Sequence, residues 1–529
     1  MVDSIPESQS PLLRADSASV PVFESTPSFL ITAGNRSYKH QYANIYFLRL
    51  RRLRKFAEER ARQRWQHIDG NPVQIPRVLE VEKGKLCYVV GTVYMDMPLK
   101  PNVLEDIARD RSIPPPPMLS KYCSEDDSVM LEDESGRIKL VGDRLQKHQL
   151  VTGVIAGVLG IETPNGEFEV ADMCFPGMAP QPQMQGSDVQ GMNVDEASAD
   201  AWVALVSGLD IGSSVSSELR NQLLVEYLSG EGGGQADQAL GARISRLVVV
   251  GNSLAPVDLS TKTESLTVED QKPRKYGQDT TNLSLEPIQT LSAHLHDIVQ
   301  AMPVHILPGP NDPSGSILPQ QPFPRTMMGP AASYPSFYCE TNPSYIRISD
   351  VPEGEDEQPQ PDGSHISRTF LVHSGQSIDD MFKYLPSPPH TRLSLLESTL
   401  KWRHMAPTAP DTLWCHPYFT DDPFILKETP NVYVVGGQKR FATRLVVEEG
   451  VDEESKKQCR IIIVPSFAET GTLVLVNLRS LDVKTVKFGM KGMAHINGGE
   501  PDSPNEADVV AEGAPAPSQL RSENSAMQE

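Results

Sequence analysis

Between residues 202 and 477 the chain carries seven short apolar runs: Trp202–Ser207, Arg246–Val250, Val304–Leu307, Thr369–Val372, Asn431–Val435, Arg460–Val464 and Leu473–Asn477. Runs of this length are too short to be buried helices. Rich in Val, Ile and Leu, they read as strands covered on both faces. Helical periodicity fills several of the gaps, at Ser216–Leu228, Glu286–Met302 and Leu393–His404. Alternation of this kind predicts α/β layers around buried sheet. Polar inserts at 229–241, 256–285 and 351–365 interrupt it and are expected to be surface loops.

A different pattern precedes this region. Leu86–Met95, Ser128–Glu132, Gly136–Val141, Leu150–Ile161 and Glu167–Phe175 are strand-like, with turn signals at Gly136 and Asn165-Gly166. Five strands in so short a stretch suggest a small barrel, and an OB-fold is the natural candidate. From Gln41 to His67 the spacing predicts a helix, with Tyr46, Leu50, Leu53, Ala57, Ala61 and Trp65 on one face. Its other face carries Arg49, Arg51, Arg52, Arg54, Lys55, Arg60, Arg62 and Arg64. That face is either solvated or a contact for an acidic partner or phosphate.

With 529 residues the chain exceeds what one core can hold. The expected plan is α+β and multidomain: a disordered segment (1–38), a helical segment (39–75), the OB-like barrel (76–178), a linker (179–198), the α/β domain (199–490) and a disordered tail (491–529).

The formal charge of −21 opposes general nucleic-acid binding, which needs Lys and Arg to displace phosphate counterions. An OB groove for single strands also needs stacking aromatics. The strand runs offer only Tyr88, Tyr94 and Phe168 before Phe175, among acidic residues. The six cysteines are scattered with no C-x-x-C pair, which disfavours a thiolate metal site. No signal-like N-terminus or apolar run of membrane-spanning length occurs, so an intracellular, soluble protein is expected.

In α/β sheets chemistry sits in the loops after the strands. Here these are Ser207–Gly212, Gly251–Ala255, Pro308–Pro313, Cys415–Pro417 and Gly436–Lys439. Their order resembles that of the calcineurin-like metallophosphoesterases, whose two metal ions activate water and polarise phosphorus. Against that family's pattern, Gly208 and Asp210 stand where an Asp and a His would be. Asn252 and Ala255 replace two acids, and Pro310 and Asn311 replace an Asn and a His, with Asp312 retained. His416 matches the lone His, and Gly437 and Lys439 replace the final pair. Glycine, alanine and proline side chains have no donor, and an ammonium has no lone pair. Asp210, Asn252, Asp312 and His416 remain as vestigial pocket positions, too few for a two-metal centre. No catalytic residue, metal site or cofactor is therefore expected. His294 and His296 lie on different helix faces, His373-Ser374 lacks a nucleophile elbow, and Gly232-Gly233-Gly234 lacks the Lys of a phosphate loop.

A barrel ahead of such a domain resembles the B subunits of replicative DNA polymerases. Six stretches resemble the polymerase delta branch in particular: Ala204–Gly212, Leu318–Pro322, Ser374–Asp380, Thr408–Thr412, Asp421–Ile425 and Val476–Leu481. The resemblance covers roughly residues 35–490 and implies a non-catalytic nuclear scaffold. Its implied partners are the cysteine-rich C-terminal domain of the catalytic subunit and a further accessory subunit. The sliding clamp is engaged indirectly and DNA mostly through the complex, with no membrane contact. It also implies sharing with polymerase zeta. A metal-dependent phosphoesterase and a single-strand-binding module are the competing readings.

Overall fold

The computed structural model describes residues 13–34, 36–101, 119–182, 201–256, 284–350, 366–449 and 456–489, and the backbone of 495–497. A short strand, β1 (Ala18–Val20), comes first, then helix α1 (Ala43–Trp65). The expected stripe of α1 is buried from Leu50 to Trp65, with Tyr46 half-buried. Leu50, Leu53 and Ala57 pack against Val90 and Ile155, and Ala61 and Trp65 against Tyr88 and Leu159.

Those barrel residues belong to strands β2 (Val73–Gln74), β3 (Leu86–Asp96), β4 (Ser128–Glu132), β5 (Arg137–Val141), β6 (Ile155–Glu162) and β7 (Glu167–Cys174). The ladder runs β3-β4-β5-β7-β6 and closes through β3–β6 pairing, with only β5–β7 parallel among these five. This is the closed five-stranded OB topology. Residues Leu150–Val154, expected to open the fourth strand, form a turn. Closure needs a register shift beside Gly160, where a Cβ would strike the Phe168 ring at 2.7 Å.

The second domain contains β8 (Trp202–Val206), α2 (Val215–Ser229), α3 (Gln235–Ala242), β9 (Ile244–Val250), α4 (Glu286–Ala301), β10 (Val304–Leu307), β11 (Phe337–Cys339), β12 (Ser344–Ser349) and β13 (Ser367–His373). It continues with α5 (Gln376–Lys383), α6 (Arg392–Trp402), β14 (Val432–Gln438), β15 (Ala442–Glu448), β16 (Lys457–Pro465), α7 (Phe467–Thr470), β17 (Thr472–Asn477), β18 (Val483–Lys487) and β19 (His495–Asn497). One sheet is ordered β1-β12-β13-β14-β16-β15, the other β11-β10-β9-β8-β17-β18-β19. They face each other through Val203, Leu205, Val248 and Val474 on one side and Phe370, Val372, Val434 and Ile462 on the other. Helices α2 and α4 cover the outer face of the seven-stranded sheet. The outer face of the six-stranded sheet shares one continuous core with α5, α6 and the interior of the barrel, from Phe168 to Trp402 and Tyr433.

Four expectations are corrected. Segment 1–38 is not disordered across 13–34: β1 pairs antiparallel with β12 and Phe29 is buried. The insert 229–241 is not a loop, because it contains most of α3, whose Asp237 carboxylate accepts the Gly234 N–H at 3.0 Å. The tail is not unstructured throughout, since β19 pairs with β18. Arg49 is not on a polar face but fully buried. Residues 183–198 of the linker, the inserts 257–283 and 351–365, and the rest of the tail lie outside the described residues.

Arg49 can be buried because each of its three guanidinium nitrogens has a partner. Its Nε donates to Asp422 Oδ2 at 3.0 Å, and its Nη groups donate to the carbonyls of Gly153, Pro407 and Ala409 at 3.3, 2.6 and 2.8 Å. His404 Nε2 lies 2.8 Å from the same Asp422 oxygen, while His404 Nδ1 accepts the Ala406 N–H. One guanidinium thus joins α1, the barrel and the second domain. The rest of the arginine face is largely spoken for within the chain. Arg54 grips Glu134 with both Nη groups, Arg64 bonds Asp172, and Arg60 pairs with Glu448.

Candidate functional site

The first three of the loops singled out in the sequence converge. Asp210 N–H donates to the Asn252 carbonyl at 3.2 Å, and Asn252 Oδ1 accepts the Asn311 N–H at 3.2 Å. Both Asp210 (φ 44°) and Asn252 (φ 54°) hold left-handed backbone, a strained conformation for residues with a Cβ. Asp210 is half-buried. Burial, with Glu469 nearby, pushes its carboxyl above the usual range, and one oxygen lacks a hydrogen-bond partner.

Asp312 is buried and serves the loops themselves. It accepts the N–H groups of Leu254 and Gly309 at 2.9 and 2.7 Å. Burial raises its pKa to about 6, against the pull of these backbone donors. Its oxygens tie two loops together and are thereby turned away from a ligand's role.

His416 is placed elsewhere. Its backbone N–H donates to Leu318 O at 2.7 Å, and its ring packs edge-on against Tyr38 and Tyr418. The position after β13, next to the Asn252 loop, belongs to Ser374. A Cβ added to Gly251 would lie 2.5 Å from the Ser374 Cβ.

Backbone and side-chain atoms of neighbouring loops crowd the glycines in this space. A Cβ at Gly208 would meet Ser466 Oγ at 2.9 Å, and one at Gly437 would meet Ser374 O at 2.8 Å. At Gly309 and Gly436 it would meet Asn252 Oδ1 and Ser207 Oγ, each at 2.5 Å. Gly208 and Gly437 also have φ of 65° and 67°, which disfavours any side chain. The Asp and His that a hydrolase would carry at 208 and 437 therefore lack room as well as being absent. Lys439 is exposed. Among the described residues, no three His, Cys, Asp or Glu side chains gather as metal ligands.

A neutral amide cluster, which residue spacing does not reveal, seals the neighbouring space. Asn342 Nδ2 donates to Ser374 Oγ at 2.6 Å and to Gln320 Oε1 at 2.7 Å, and Ser374 N–H returns a bond to Asn342 Oδ1 at 3.0 Å. Gln320 Nε2 reaches the Gly309 and Gly315 carbonyls, and Gln376 Nε2 reaches Gln320 Oε1. Asn342 and Gln320 are buried. The signal was present in Leu318–Pro322 and Ser374–Asp380, but amides carry no distinctive pattern.

On the barrel, two of the three candidate stacking aromatics are interior. Phe168 fills the core, and Tyr88 packs edge-on against Trp65. Tyr94 is half-exposed, with Lys100 Nζ 4.4 Å and Arg137 5.3 Å from its ring centre. A single such ring is a slender platform for a strand of bases. No described helix is long and apolar enough to cross a membrane.

Residues 41–173 match the family model of the DNA polymerase delta subunit OB-fold domain, and residues 203–353 and 363–443 match that of the B subunit of DNA polymerases alpha and epsilon. Barrel and two-sheet domain together define a DNA polymerase B subunit. The chain is 37% identical to the DNA polymerase delta small subunit of Arabidopsis thaliana over 85% of its own length and 91% of the relative's. With the Saccharomyces cerevisiae protein of the same name the identity is 32%, over 88% and 93%. The DNA polymerase II small subunit of the archaeon Methanothermobacter thermautotrophicus is 26% identical over 53% of this chain and 50% of the relative. The chain belongs to the DNA polymerase delta small-subunit family.

Proposed function

We propose that the chain is a non-catalytic accessory subunit of DNA polymerase delta, a scaffold for replication and repair synthesis in the nucleus. It bridges the cysteine-rich C-terminal domain of the catalytic subunit to a further accessory subunit, and it meets the sliding clamp and DNA through that assembly. Sharing with polymerase zeta is a corollary of this reading. The names of its relatives support the polymerase role. The observation that carries the non-catalytic part is the closure of the pocket by Gly208, Gly309, Gly436 and Gly437 against neighbouring loops. A large excess of acidic over basic residues suits protein partners better than phosphate.

Two measurements test this. Recovery of the tagged chain from cells should bring a polymerase delta catalytic chain in near-stoichiometric amount, and recovery without any polymerase chain would end the reading. Purified protein with manganese should leave a generic phosphodiester intact. Turnover that a chelator abolishes would return the chain to the enzymes.

A further inference from the structure

Residues 13–34 form a strap across the two-sheet domain. Arg14 fastens one end, donating to the carbonyls of Gly241, Ile244 and Leu228 at 2.9, 2.9 and 2.7 Å. The three residues of β1 pair with Arg347–Ser349 of β12. Phe29 fastens the other end, stacked on Tyr345 and tilted against Phe424.

Between these anchors the strap bends at Phe23–Thr26, closed by a Thr26 N–H to Phe23 O bond of 2.9 Å. At the bend the Thr26 hydroxyl donates to Glu428 Oε1, and Ser25 Oγ donates to Glu428 Oε2 at 3.3 Å. Thr26 is 9% exposed and Glu428 4%. Pro27 follows Thr26 directly.

We propose that Thr26 is a phosphorylation site for a proline-directed protein kinase, and that its phosphate releases the strap. In the reaction Thr26 Oγ1 attacks the γ-phosphorus of ATP. A new O–P bond forms, the bond to the β,γ-bridging oxygen breaks, ADP leaves, and the hydroxyl proton passes to a base of the kinase. Two consequences act together at the docked site. The oxygen that donated to Glu428 no longer carries a proton, and a group of charge about −1.5 to −2 now faces a buried carboxylate. The bend cannot re-dock without desolvating both.

Access comes from transient opening of the strap, which β1, the two end anchors, the Arg246 bonds to Ser17 and Ser19 and the Glu428 bonds to Ser25 and Thr26 together hold to the domain. The kinase captures the open form, and the phosphate keeps it open. Release bares two features at once: the edge of β12, with its unpaired backbone groups, and the aromatic socket of Phe29 between Tyr345 and Phe424.

The test uses the full-length protein with a proline-directed kinase and magnesium ATP, read by peptide mass mapping and amide hydrogen exchange. Phosphate should appear on Thr26, and exchange at Ala18–Val20 should rise by at least about tenfold while the strands of the barrel keep their protection. Thr26→Val should take no phosphate at that position, and its exchange at Ala18–Val20 should be the same with and without the kinase. Glu428→Gln should restore only part of the protection in the phosphorylated protein, because the phosphate must still be desolvated. The proposal fails if Thr26 stays unmodified even in a Phe29→Ala variant with a loosened strap. It fails equally if phosphorylated Thr26 leaves exchange at Ala18–Val20 unchanged.

Discussion

At the scale of single residues, the buried cluster of Arg49, Asp422 and His404 shows how far a side chain's role can depart from its position in a pattern. Helical spacing put Arg49 among seven other basic residues; only the fold reveals that Asp422 and three carbonyls from distant segments wait for it. Burial alone would raise the Asp422 carboxyl, but facing His404 and Arg49 it is held well below the usual range. Removing the guanidinium by Arg49→Ala leaves that carboxylate buried without its partner, and should cost about 3–5 kcal/mol in urea unfolding. The histidines give a second test. Burial, with Arg49 adjacent, lowers His404 to about 4, and burial lowers His373 to about 3. Both stay neutral in the folded chain where the unfolded chain takes up protons, below about pH 6.5. The two histidines should therefore lower stability as pH drops from 6.5 toward 4, by about 1.4 kcal/mol per pH unit each, offset in part by Asp312, whose raised carboxyl binds a proton in the folded chain over the same range. His373→Asn, which keeps an acceptor near the Gly375 N–H, should remove one such share of the slope in denaturation series at pH 6 and pH 5.

At the scale of elements, strands declared themselves where β-branched runs sit between turn residues, and Ser128–Glu132 and Val304–Leu307 have the boundaries expected of them. Others were hidden for physical reasons. β1 is three residues long and exists because β12 offers an edge, and β15 mixes Arg444 and Glu448 into an edge strand with a half-polar face. α3 hides among glycines, where a local cap decides the outcome and propensity does not. In the sequence the candidate site reads only as a set of residue types poorly suited to hold two metal ions. Its closure is not legible there, because no residue spacing states how near two backbones come. That difference is measurable. If the ligands alone were missing, Gly208→Asp with Gly437→His would begin to recover manganese binding. With Ser466 and Ser374 in the way, the pair of changes should yield no binding in calorimetry and a clear loss of thermal stability, each Cβ adding about 1–3 kcal/mol of overpacking.

At the scale of the whole molecule, the barrel and the two-sheet domain are not beads on a string. Val89, Leu131 and Phe168 of the barrel belong to the same buried cluster as Trp402, Tyr433 and Ile461, and Arg49 pins the seam. Unfolding followed by tryptophan fluorescence and by far-ultraviolet dichroism should show a single coincident transition, even though two domains of this size commonly melt apart. Separate transitions would mean the seam opens first. A welded seam also has a mechanical meaning. Whatever is attached to the barrel stands at a set distance and angle from whatever is attached to the far sheet, so the protein acts as a strut and has no hinge there. Any bending between those two attachments must therefore take place somewhere other than this seam.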